Sequence, residues 1–545
     1  MTSYPDFDAV VVGAGFGGIY MCKKLVDQGL SIKLIEVAPD VGGTWYWNRY
    51  PGAMSDTPSM LYRYSWDLED LQQYPWEKQY LQQHEVLAYL RHVVDRHQLR
   101  QHMQFNTEMK AATWDPDHST WTVGLSSGQD ITSCYLVTAI GLLSKQNYPE
   151  IRGLDSFKGE MYHTGSWPAS YDFKNKRVGV IGNGSTGVQV ITAIADEVKL
   201  LRSFQRHPQY VVPAVNRAFP PESRRDINRQ WEDIWKQAKE SMFGFGFEES
   251  QTPASSVTAE ERERIFESAW QKGGGFNFMF GTFCDISYDE VANKEAADFI
   301  KRKIRQIVKD PVKAEKLIPT EHYARRPLCD TGYYEKFNSP NVDIIDVNET
   351  PITEITPKGV RTSDGAEYDL DVLVFATGFD AVDGNYKRIP IQGASNKTLK
   401  DCWADGPDSY LGISVSDFPN LFMILGPNGP FTNLPPTIET QVEFISDIIQ
   451  HANGLARQNG KSPTIEAERE AVHAWGKICD ELSANSLFRR TDSWIFGANV
   501  AGKKPSVLFY FGGLANYRNV LRDLINEGYK GFQPFLRDSL YSYTA

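Results

Sequence analysis

The sequence predicts a mixed α/β protein in which two Rossmann-like dinucleotide-binding domains share the chain with a helical insertion. Three observations support this fold class. A glycine-rich turn stands between a strand and a helix near residue 13, the same arrangement returns near residue 182, and a helix-rich stretch follows the second turn. Each strand–turn–helix unit binds one pyrophosphate at the N-terminus of its helix, so two units indicate two bound dinucleotides.

The composition excludes several classes of protein. The net charge of -12 over 545 residues argues against nucleic acid or an anionic membrane surface as a partner. No apolar run reaches the ~18 residues of a spanning helix, and the N-terminus lacks the basic region of a signal peptide. The six cysteines form no CxxC pair and no metal-ligand spacing, so we expect a cytoplasmic protein without a metal site or a redox-active dithiol.

The first nucleotide unit opens with an apolar strand at residues 9–12 and continues with Gly13, Gly15 and Gly18. These glycines permit the tight turn, the close approach of a pyrophosphate and the packing of helix on strand. The next strand ends at Glu36, 23 positions after Gly13, where a carboxylate accepts hydrogen bonds from an adenosine ribose. The motif in this context predicts a dinucleotide site.

The second unit differs at the position equivalent to Glu36. Its strand spans residues 177–181 and its turn consists of Gly182, Asn183, Gly184, Ser185, Thr186 and Gly187. The following strand leads to Arg206 and no acid, and an arginine there suits the 2′-phosphate of NADP. The alternative interpretation is a surface arginine without a cofactor role.

Between residues 220 and 319 the sequence is helical in pattern. Thr258 begins a capping box, and a later apolar stripe ends before Pro311. That stripe contains Ala292, Ala296, Ile300, Ile304 and Val308. A buried strand at 371–375 then runs into Ala376-Thr377-Gly378. The predicted domains are residues 1–141 and 381–545 for the first nucleotide, 142–215 and 326–380 for the second, and 216–325 for a helical insertion in the second domain.

Two nucleotide sites without a metal motif suggest that hydride passes from a nicotinamide to a flavin, which supplies the difficult redox chemistry. The residues alone leave open whether the product is a reduced acceptor or an oxygenated one.

A segment between the two units narrows this choice. Phe157, Gly159, His163 and Trp167 stand in the pattern FxGxxxHxxxW, followed by Pro168. The pattern resembles the fingerprint of type I Baeyer–Villiger monooxygenases, and the chain is most similar to the cyclohexanone monooxygenases within that family. Further segments that resemble the family are 42–52, 326–330, 376–386, 426–433 and 494–499.

The resemblance implies FAD in the first domain and NADP(H) in the second. It implies that O2 adds to the reduced flavin as a C4a-peroxyflavin, which inserts one oxygen atom next to the carbonyl of a cyclic or linear ketone and gives a lactone or ester. It also implies that His163 is a domain-linking residue rather than a proton-transfer catalyst. A small-molecule ketone and O2 are then the partners, and we expect a monomer or weak homo-oligomer.

The resemblance also assigns individual residues. Arg326 is implied to be the active-site cation, and Asp56 the carboxylate beside the flavin that positions it. The implied FAD contacts are Gly43, Thr44, Trp45, Asp56 and Tyr62. Arg325 and Trp494 are implied to contact NADP, Arg325 in place of the lysine of many members. Met54 and Ser55 stand where many members have arginine and cysteine.

The substrate pocket is predicted from Leu142, Phe431, Thr432, Leu434 and Phe511. These side chains are apolar apart from one hydroxyl, as a ketone pocket requires, although Leu142 and Phe511 also fit ordinary core positions. The C-terminal loop around Trp494 is expected to be ordered when NADP is bound.

Three alternatives stay open. An N- or S-oxygenating flavin monooxygenase is disfavoured by Trp167-Pro168, which such enzymes usually lack. An NADPH oxidase-like reductase would produce hydrogen peroxide in place of an ester. A nucleotide-binding sensor without turnover is disfavoured because both glycine turns, Asp56 and Arg326 are present.

Overall fold

Two sheets built mainly from parallel strands organise the computed structural model, which describes residues 4–459, 461–532 and 536–537. This arrangement confirms the predicted fold class. Its helices are α1 (Phe16–Asp27), α2 (Thr44–Trp47), α3 (Leu68–Gln73), α4 (Gln83–Arg96), α5 (Ser185–Ile194), α6 (Pro221–Arg229), α7 (Trp231–Glu240), α8 (Ala259–Lys272), α9 (Gly275–Phe280), α10 (Glu290–Ile307), α11 (Pro311–Lys316), α12 (Tyr333–Lys336), α13 (Gly384–Arg388), α14 (Leu399–Cys402), α15 (Leu434–Asn459), α16 (Arg469–Ser483) and α17 (Leu514–Asn526).

The strands are β1 (Phe7–Val12), β2 (Ile32–Ile35), β3 (Met103–Gln104), β4 (Met109–Asp115), β5 (Thr120–Leu125), β6 (Asp130–Thr138), β7 (Glu160–His163), β8 (Arg177–Ile181), β9 (Leu200–Gln205), β10 (Val211–Pro213), β11 (Leu328–Asp330), β12 (Val342–Asp346), β13 (Ile352–Thr356), β14 (Gly359–Thr362), β15 (Glu367–Asp369), β16 (Val372–Phe375), β17 (Ile391–Gln392), β18 (Leu421–Met423), β19 (Gly429–Pro430), β20 (Ser462–Pro463), β21 (Phe509–Tyr510) and β22 (Leu536–Arg537).

The first sheet has the strand order β17-β4-β5-β6-β1-β2-β3, with β18 also paired to β6. Strand β1 lies parallel to β2 and to β6, while β4, β5 and β6 form an antiparallel meander. Residues 9–12 are buried throughout because helices and strands cover both faces of a parallel strand, which explains their unbroken apolar sequence. Since β17 and β18 follow residue 380, the late part of the chain completes the sheet that the N-terminus begins.

The second sheet is parallel throughout and has the order β12-β9-β8-β16-β7. Helix α5 connects β8 to β9 and buries Val188, Val190 and Ile191 against the sheet. Strand β16 lies between β8 and β7, so residues 376–378 emerge beside the turn at 182–187. The carboxyl edges of parallel strands hold ligands in this architecture.

The helical insertion contacts both domains. The sequence places it within the second nucleotide domain, and the helices α8 to α11 do pack in that hydrophobic core. Helices α6 and α7, however, lie against the first domain, where Trp231 and Trp235 join the core that contains Trp76. Arg224 donates hydrogen bonds to the carbonyl oxygens of Leu71 (3.0 Å) and residue 74 (2.9 Å). These helices pack on the first domain because Trp231 and Trp235, one turn apart, give α7 an aromatic face that is buried there.

A buried arginine strengthens this contact. Arg63 is 1% exposed, and its guanidinium carbon lies 5.3–6.0 Å from the ring centroids of Tyr74, Trp76, Tyr89 and Trp231. Burial lowers the pKa of the Arg63 guanidinium. Cation–π attraction to several rings offsets part of the cost of burying this charge and ties α7 to the first domain.

Two negative findings apply to the described ranges. No helix there combines the length and the apolar character that crossing a bilayer requires. No group of three or more His, Cys, Asp or Glu side chains within the same ranges is placed to hold a metal ion.

The glycine turns are close-packed in the same way in both domains. A Cβ atom at Gly18 would lie 1.8 Å from the carbonyl oxygen of Gly13, and one at Gly187 would lie 2.3 Å from that of Gly182. Gly184 differs, because its Cβ would meet no atom within 4 Å. The glycines at 18 and 187 therefore serve helix–strand packing, and Gly184 borders open space.

We predict that Gly187→Ala lowers the free energy of unfolding by about 3 kcal/mol, because the added methyl group overlaps the backbone of Gly182. Gly184→Ala is the matched control, and its effect on unfolding of the protein without nucleotide is expected to stay within about 1 kcal/mol. Thermal and denaturant unfolding of both variants measures the difference. Equal losses in the two variants would contradict the packing argument.

Candidate active site

One cavity of about 650 Å³ connects the carboxyl edges of the two sheets. It begins at the first glycine turn, passes Thr44 and Trp45, and ends at Arg326 among several phenylalanines. Parts of both nucleotide units line it, so any ligands held at the two turns would meet inside it. Its position at both glycine turns and its apolar end suit a site where parts of two nucleotides approach a small substrate.

The end of the cavity beside the first glycine turn has the features of a flavin nucleotide site. Glu36 is 5% exposed and its carboxylate accepts hydrogen bonds from the backbone N–H groups of Ala14 (2.6 Å) and Ala38 (2.8 Å). Burial raises the pKa of Glu36, and these backbone hydrogen bonds oppose the rise. The carboxylate is thus fixed at the end of β2, facing the space that a ribose would fill.

The structure brings most of the predicted FAD residues together. Those that line the cavity are Gly13, Gly15, Glu36, Gly43, Thr44, Trp45, Asp56 and Tyr62. Gly18 does not line it, because this residue packs against Gly13. The Nε1–H of Trp45 donates to the hydroxyl of Tyr62 (3.1 Å), which fixes both rings at the wall. The residues present would hold FAD at this end of the cavity.

The predicted NADP residues are more widely spread. Ser185, Thr186 and Trp494 line the cavity. Gly182 and Gly187 pack the second turn, and Gly184 leaves space beside the N-terminus of α5, as a pyrophosphate requires. Arg206 and Arg325 do not line the cavity, and both lie near His207. Burial lowers the pKa of His207, and the two arginines lower it further.

Arg326 and Asp56 form a bidentate ion pair at the apolar end. Nη2 of Arg326 lies 2.9 Å from Oδ1 of Asp56, and Nη1 contacts Oδ2. The ring centroid of Phe276 lies 5.3 Å from the guanidinium carbon. Burial lowers the pKa of Arg326, but Asp56 more than offsets this effect, and the net pKa is raised. The guanidinium therefore carries a permanent, oriented positive charge at the cavity wall.

The predicted substrate pocket is largely assembled at this end. Leu142, Phe431, Thr432 and Leu434 line the cavity, whereas Phe511 does not. Phe511 packs behind Phe431, with ring centroids 5.5 Å apart. Phe509 lines the wall near this point, while Phe511 turns toward an aromatic cluster outside the cavity.

Three further wall residues were missed from the sequence, namely Phe245, Phe276 and Phe509. Phe245 and Phe276 lie in unusually aromatic, glycine-containing segments, 243–247 and 275–280. Their rings stack with centroids 4.1 Å apart and planes 17° apart. The dense spacing of phenylalanine and glycine in both segments was the available signal.

The fingerprint residues lie beside the cavity rather than in its wall. His163 is 1% exposed, its Nδ1 accepts a hydrogen bond from the backbone of Gly165 (3.0 Å), and burial lowers its pKa to about 4. A neutral imidazole held this way suits a structural role.

Trp167 makes the contact across domains, because its backbone N–H donates to the carbonyl of Trp47 (3.3 Å) and its ring packs against Tyr50. Gly159 and Phe157 pack at the start of β7, where a Cβ at 159 would meet the carbonyl of residue 371 at 2.4 Å.

The C-terminal loop, residues 494–506, is fastened to the segment that follows β16. Lys503 is held between Asp380, at 2.7 Å, and Asp383. The side-chain amide of Asn499 donates to the carbonyl oxygen of Phe379 (2.8 Å). These contacts hold Trp494 at the cavity wall, 5.7 Å from the ring of Phe509.

Comparison with known proteins agrees with this geometry. The flavin-binding monooxygenase-like family matches residues 8–220. A Baeyer–Villiger monooxygenase from Pseudooceanicola batsensis is 52% identical over 96% of this chain and 95% of that protein. A cyclohexanone 1,2-monooxygenase from Acinetobacter is 50% identical over 99% and 98% of the two chains. A phenazine N-monooxygenase from Lysobacter antibioticus is 49% identical over 96% of each chain.

Among solved structures, cyclohexanone monooxygenase from Rhodococcus sp. Phi1 bound to NADP+ superimposes with a TM-score of 0.95. It is 54% identical in sequence, and the match covers 98% of this chain and 99% of that one.

We predict that Lys503→Ala makes the 494–506 loop more accessible, because it leaves Asp383 buried with one cationic partner fewer. Chymotrypsin is expected to cleave near Trp494 and Phe496 roughly tenfold faster, which corresponds to about 1.4 kcal/mol of easier local opening. Added NADP+ is expected to slow this cleavage. Lys504→Ala is the control. Lys504 is exposed, and its ion pair with the exposed Asp405 is long, at 3.9 Å. Equal cleavage of both variants would contradict the role of Lys503.

Proposed function

This chain belongs to the Baeyer–Villiger monooxygenases, a family of flavin-binding monooxygenases, and we propose that it converts a small cyclic ketone to a lactone with NADPH and O2. The observation that carries the proposal is the Arg326–Asp56 ion pair at the junction of two nucleotide turns and an aromatic pocket. Bound FAD, once reduced by NADPH, supplies the electrons that activate O2.

The role of Arg326 is electrostatic. Its charge is fixed by Asp56 and partly shielded from water by Phe276, so it stabilises negative charge that develops on oxygen at the end of the cavity. A guanidinium is suited to this role because it stays protonated at any working pH. Asp56 acts as a positioning residue, since both of its oxygens hold the guanidinium in one orientation.

The aromatic wall sets the substrate class. Phe245, Phe276 and Phe431 present ring faces and edges at this end of the cavity, with Leu142 and Leu434 beside them. Such a wall excludes water and favours a compact apolar ring that carries a single carbonyl. The hydroxyl of Thr432 is a polar group at the same wall. These features support a ketone the size of cyclohexanone.

The choice of NADPH rests on the second domain. Arg206 and Arg325 supply two guanidinium groups near the end of β9, and no carboxylate occupies the position equivalent to Glu36. We propose these arginines as the groups that bind the 2′-phosphate. The free cysteines among the described residues agree with a reducing compartment, and we propose the cytoplasm as the location.

The experiment that tests the proposed function is product analysis after aerobic incubation of the purified holoenzyme with NADPH and cyclohexanone. We expect ε-caprolactone in an amount that matches the NADPH consumed. NADPH loss with hydrogen peroxide alone, repeated over a panel of cyclic and linear ketones, would reject the proposal and support an NADPH oxidase.

A second candidate function is N-oxygenation of a flat heteroaromatic ring. The observation in its favour is the 49% identity to a phenazine N-monooxygenase, together with the stacked rings of Phe245 and Phe276 in the cavity wall, against which a planar molecule could pack. Incubation with phenazine distinguishes the two candidates. An N-oxide formed faster than any lactone would make N-oxygenation the principal activity.

We predict that Arg326→Ala lowers the rate of lactone formation by about 100-fold or more, because the cavity loses its fixed positive charge. NADPH oxidation is expected to continue, with its electrons recovered as hydrogen peroxide. Arg326→Lys keeps the charge and loses the bidentate contact, so a partial loss is expected. Parallel assays of lactone, peroxide and NADPH measure the partition, and an unchanged lactone yield in Arg326→Ala would contradict the assigned role.

A further inference from the structure

The two arginines proposed for the 2′-phosphate differ in how they are partnered. Arg206 is exposed and makes no ion pair with any residue of the described ranges. Arg325 is half-buried, and its Nη2 already contacts Oε2 of Glu321. One of the two guanidinium groups is thus free for an anion, and the other is occupied by a carboxylate of the chain itself.

Glu321 is held firmly in this position. Its second carboxylate oxygen, Oε1, lies 2.9 Å from Nδ1 of His207. The hydroxyl of Tyr210, a core residue that follows β9, donates a hydrogen bond to the backbone carbonyl of Glu321 (2.8 Å). Both the backbone and the side chain of Glu321 are therefore fixed beside Arg325. A carboxylate on a flexible surface side chain would lack these restraints.

The charged groups with the largest effects on His207 are of opposite sign. Arg206 and Arg325 are cationic, and Glu321 and Asp492 are anionic. His207 adds little positive charge at neutral pH, because burial and the nearby Arg325 lower its pKa. The nearby positive charges are offset by the carboxylates, which disfavours binding of a phosphate dianion. Such an anion is bound best by guanidinium groups whose donors are unoccupied.

We propose that Glu321 is an internal competitor for the 2′-phosphate of NADPH and so limits the preference of the enzyme for NADPH over NADH. The proposal rests on the assignment of Arg325 to that phosphate under the proposed function. A bound 2′-phosphate shares or displaces the Glu321 carboxylate on Arg325, and this exchange weakens binding. A nucleotide without the 2′-phosphate leaves the Glu321–Arg325 pair intact and is unaffected.

The test compares two nucleotide fragments that differ only in the 2′-phosphate, adenosine 2′,5′-bisphosphate and 5′-AMP. Equilibrium binding of each to the FAD-loaded enzyme is measured by calorimetry for the parent and for Glu321→Gln, an isosteric change that removes the charge. We expect the variant to bind the bisphosphate about tenfold more tightly, or about 1.4 kcal/mol, and to bind 5′-AMP within about twofold of the parent.

Two controls make the outcome specific. Glu315→Gln removes a negative charge from the nearby helix α11, where Glu315 is exposed and pairs with Arg305 at 2.8 Å, and it is expected to change neither affinity. Arg325→Ala is expected to weaken bisphosphate binding and to abolish the gain from Glu321→Gln in the double variant. Thermal unfolding of each variant verifies that it is folded.

Several results would overturn the proposal. Unchanged or weaker bisphosphate binding by Glu321→Gln would show that the carboxylate does not compete, or that it positions Arg325 productively. A gain that persists in the Arg325→Ala background would place the effect elsewhere. An Arg325→Ala variant with unaltered bisphosphate affinity would remove Arg325 from the phosphate site, while lactone formation by the parent enzyme would still stand as evidence for the proposed reaction.

Discussion

The ion pair between Arg326 and Asp56 is the contact on which the arrangement of the site depends. Its partners are 270 positions apart, one in the first nucleotide domain and the other directly before β11. Both side chains are largely removed from bulk water, so each charge is stabilised by the other. The pair forms because the two domains lie in this relation. The geometry that produces a fixed cation in the cavity is the same geometry that brings the two nucleotide turns to a common space.

Aromatic packing away from the Arg326–Asp56 ion pair also maintains the arrangement of the two domains. Trp167 donates to the backbone of Trp47, and helix α7 packs Trp231 against the charge of Arg63. These contacts join the first domain to the loop between β7 and β8 of the second sheet and to the helical insertion. Because they are buried and directional, a small rotation of one domain would break several of them together. The cavity is consequently a property of the domain arrangement rather than of either sheet.

The parts of the site that follow from local sequence could be predicted, and those that depend on distant packing could not. Both glycine turns and the position of Glu36 follow from spacing within a single βαβ unit. Nothing in the residues alone pairs Asp56 with Arg326, and only family resemblance suggested it. The sequence did not show that Phe511 lies outside the cavity wall or that Phe245 lies in it, because the directions of the segments that form the wall are set by long-range contacts. The same limitation hid the packing of α6 and α7 on the first domain.

The segment 319–327 connects the two halves of the proposed reaction through consecutive residues. Arg325 faces Glu321 and His207 on the side proposed for the 2′-phosphate, while Arg326 faces Asp56 in the cavity. Since one peptide bond separates them, an anion that moved Arg325 would act directly on the backbone of Arg326. The hydroxyl of Thr491, just before the C-terminal loop, donates to the carbonyl of Ala324 (2.7 Å), so the loop that carries Trp494 is joined to the same segment. The proposed nucleotide contact, the loop that carries Trp494 and the cation of the cavity are thus joined by direct contacts through a few adjacent residues.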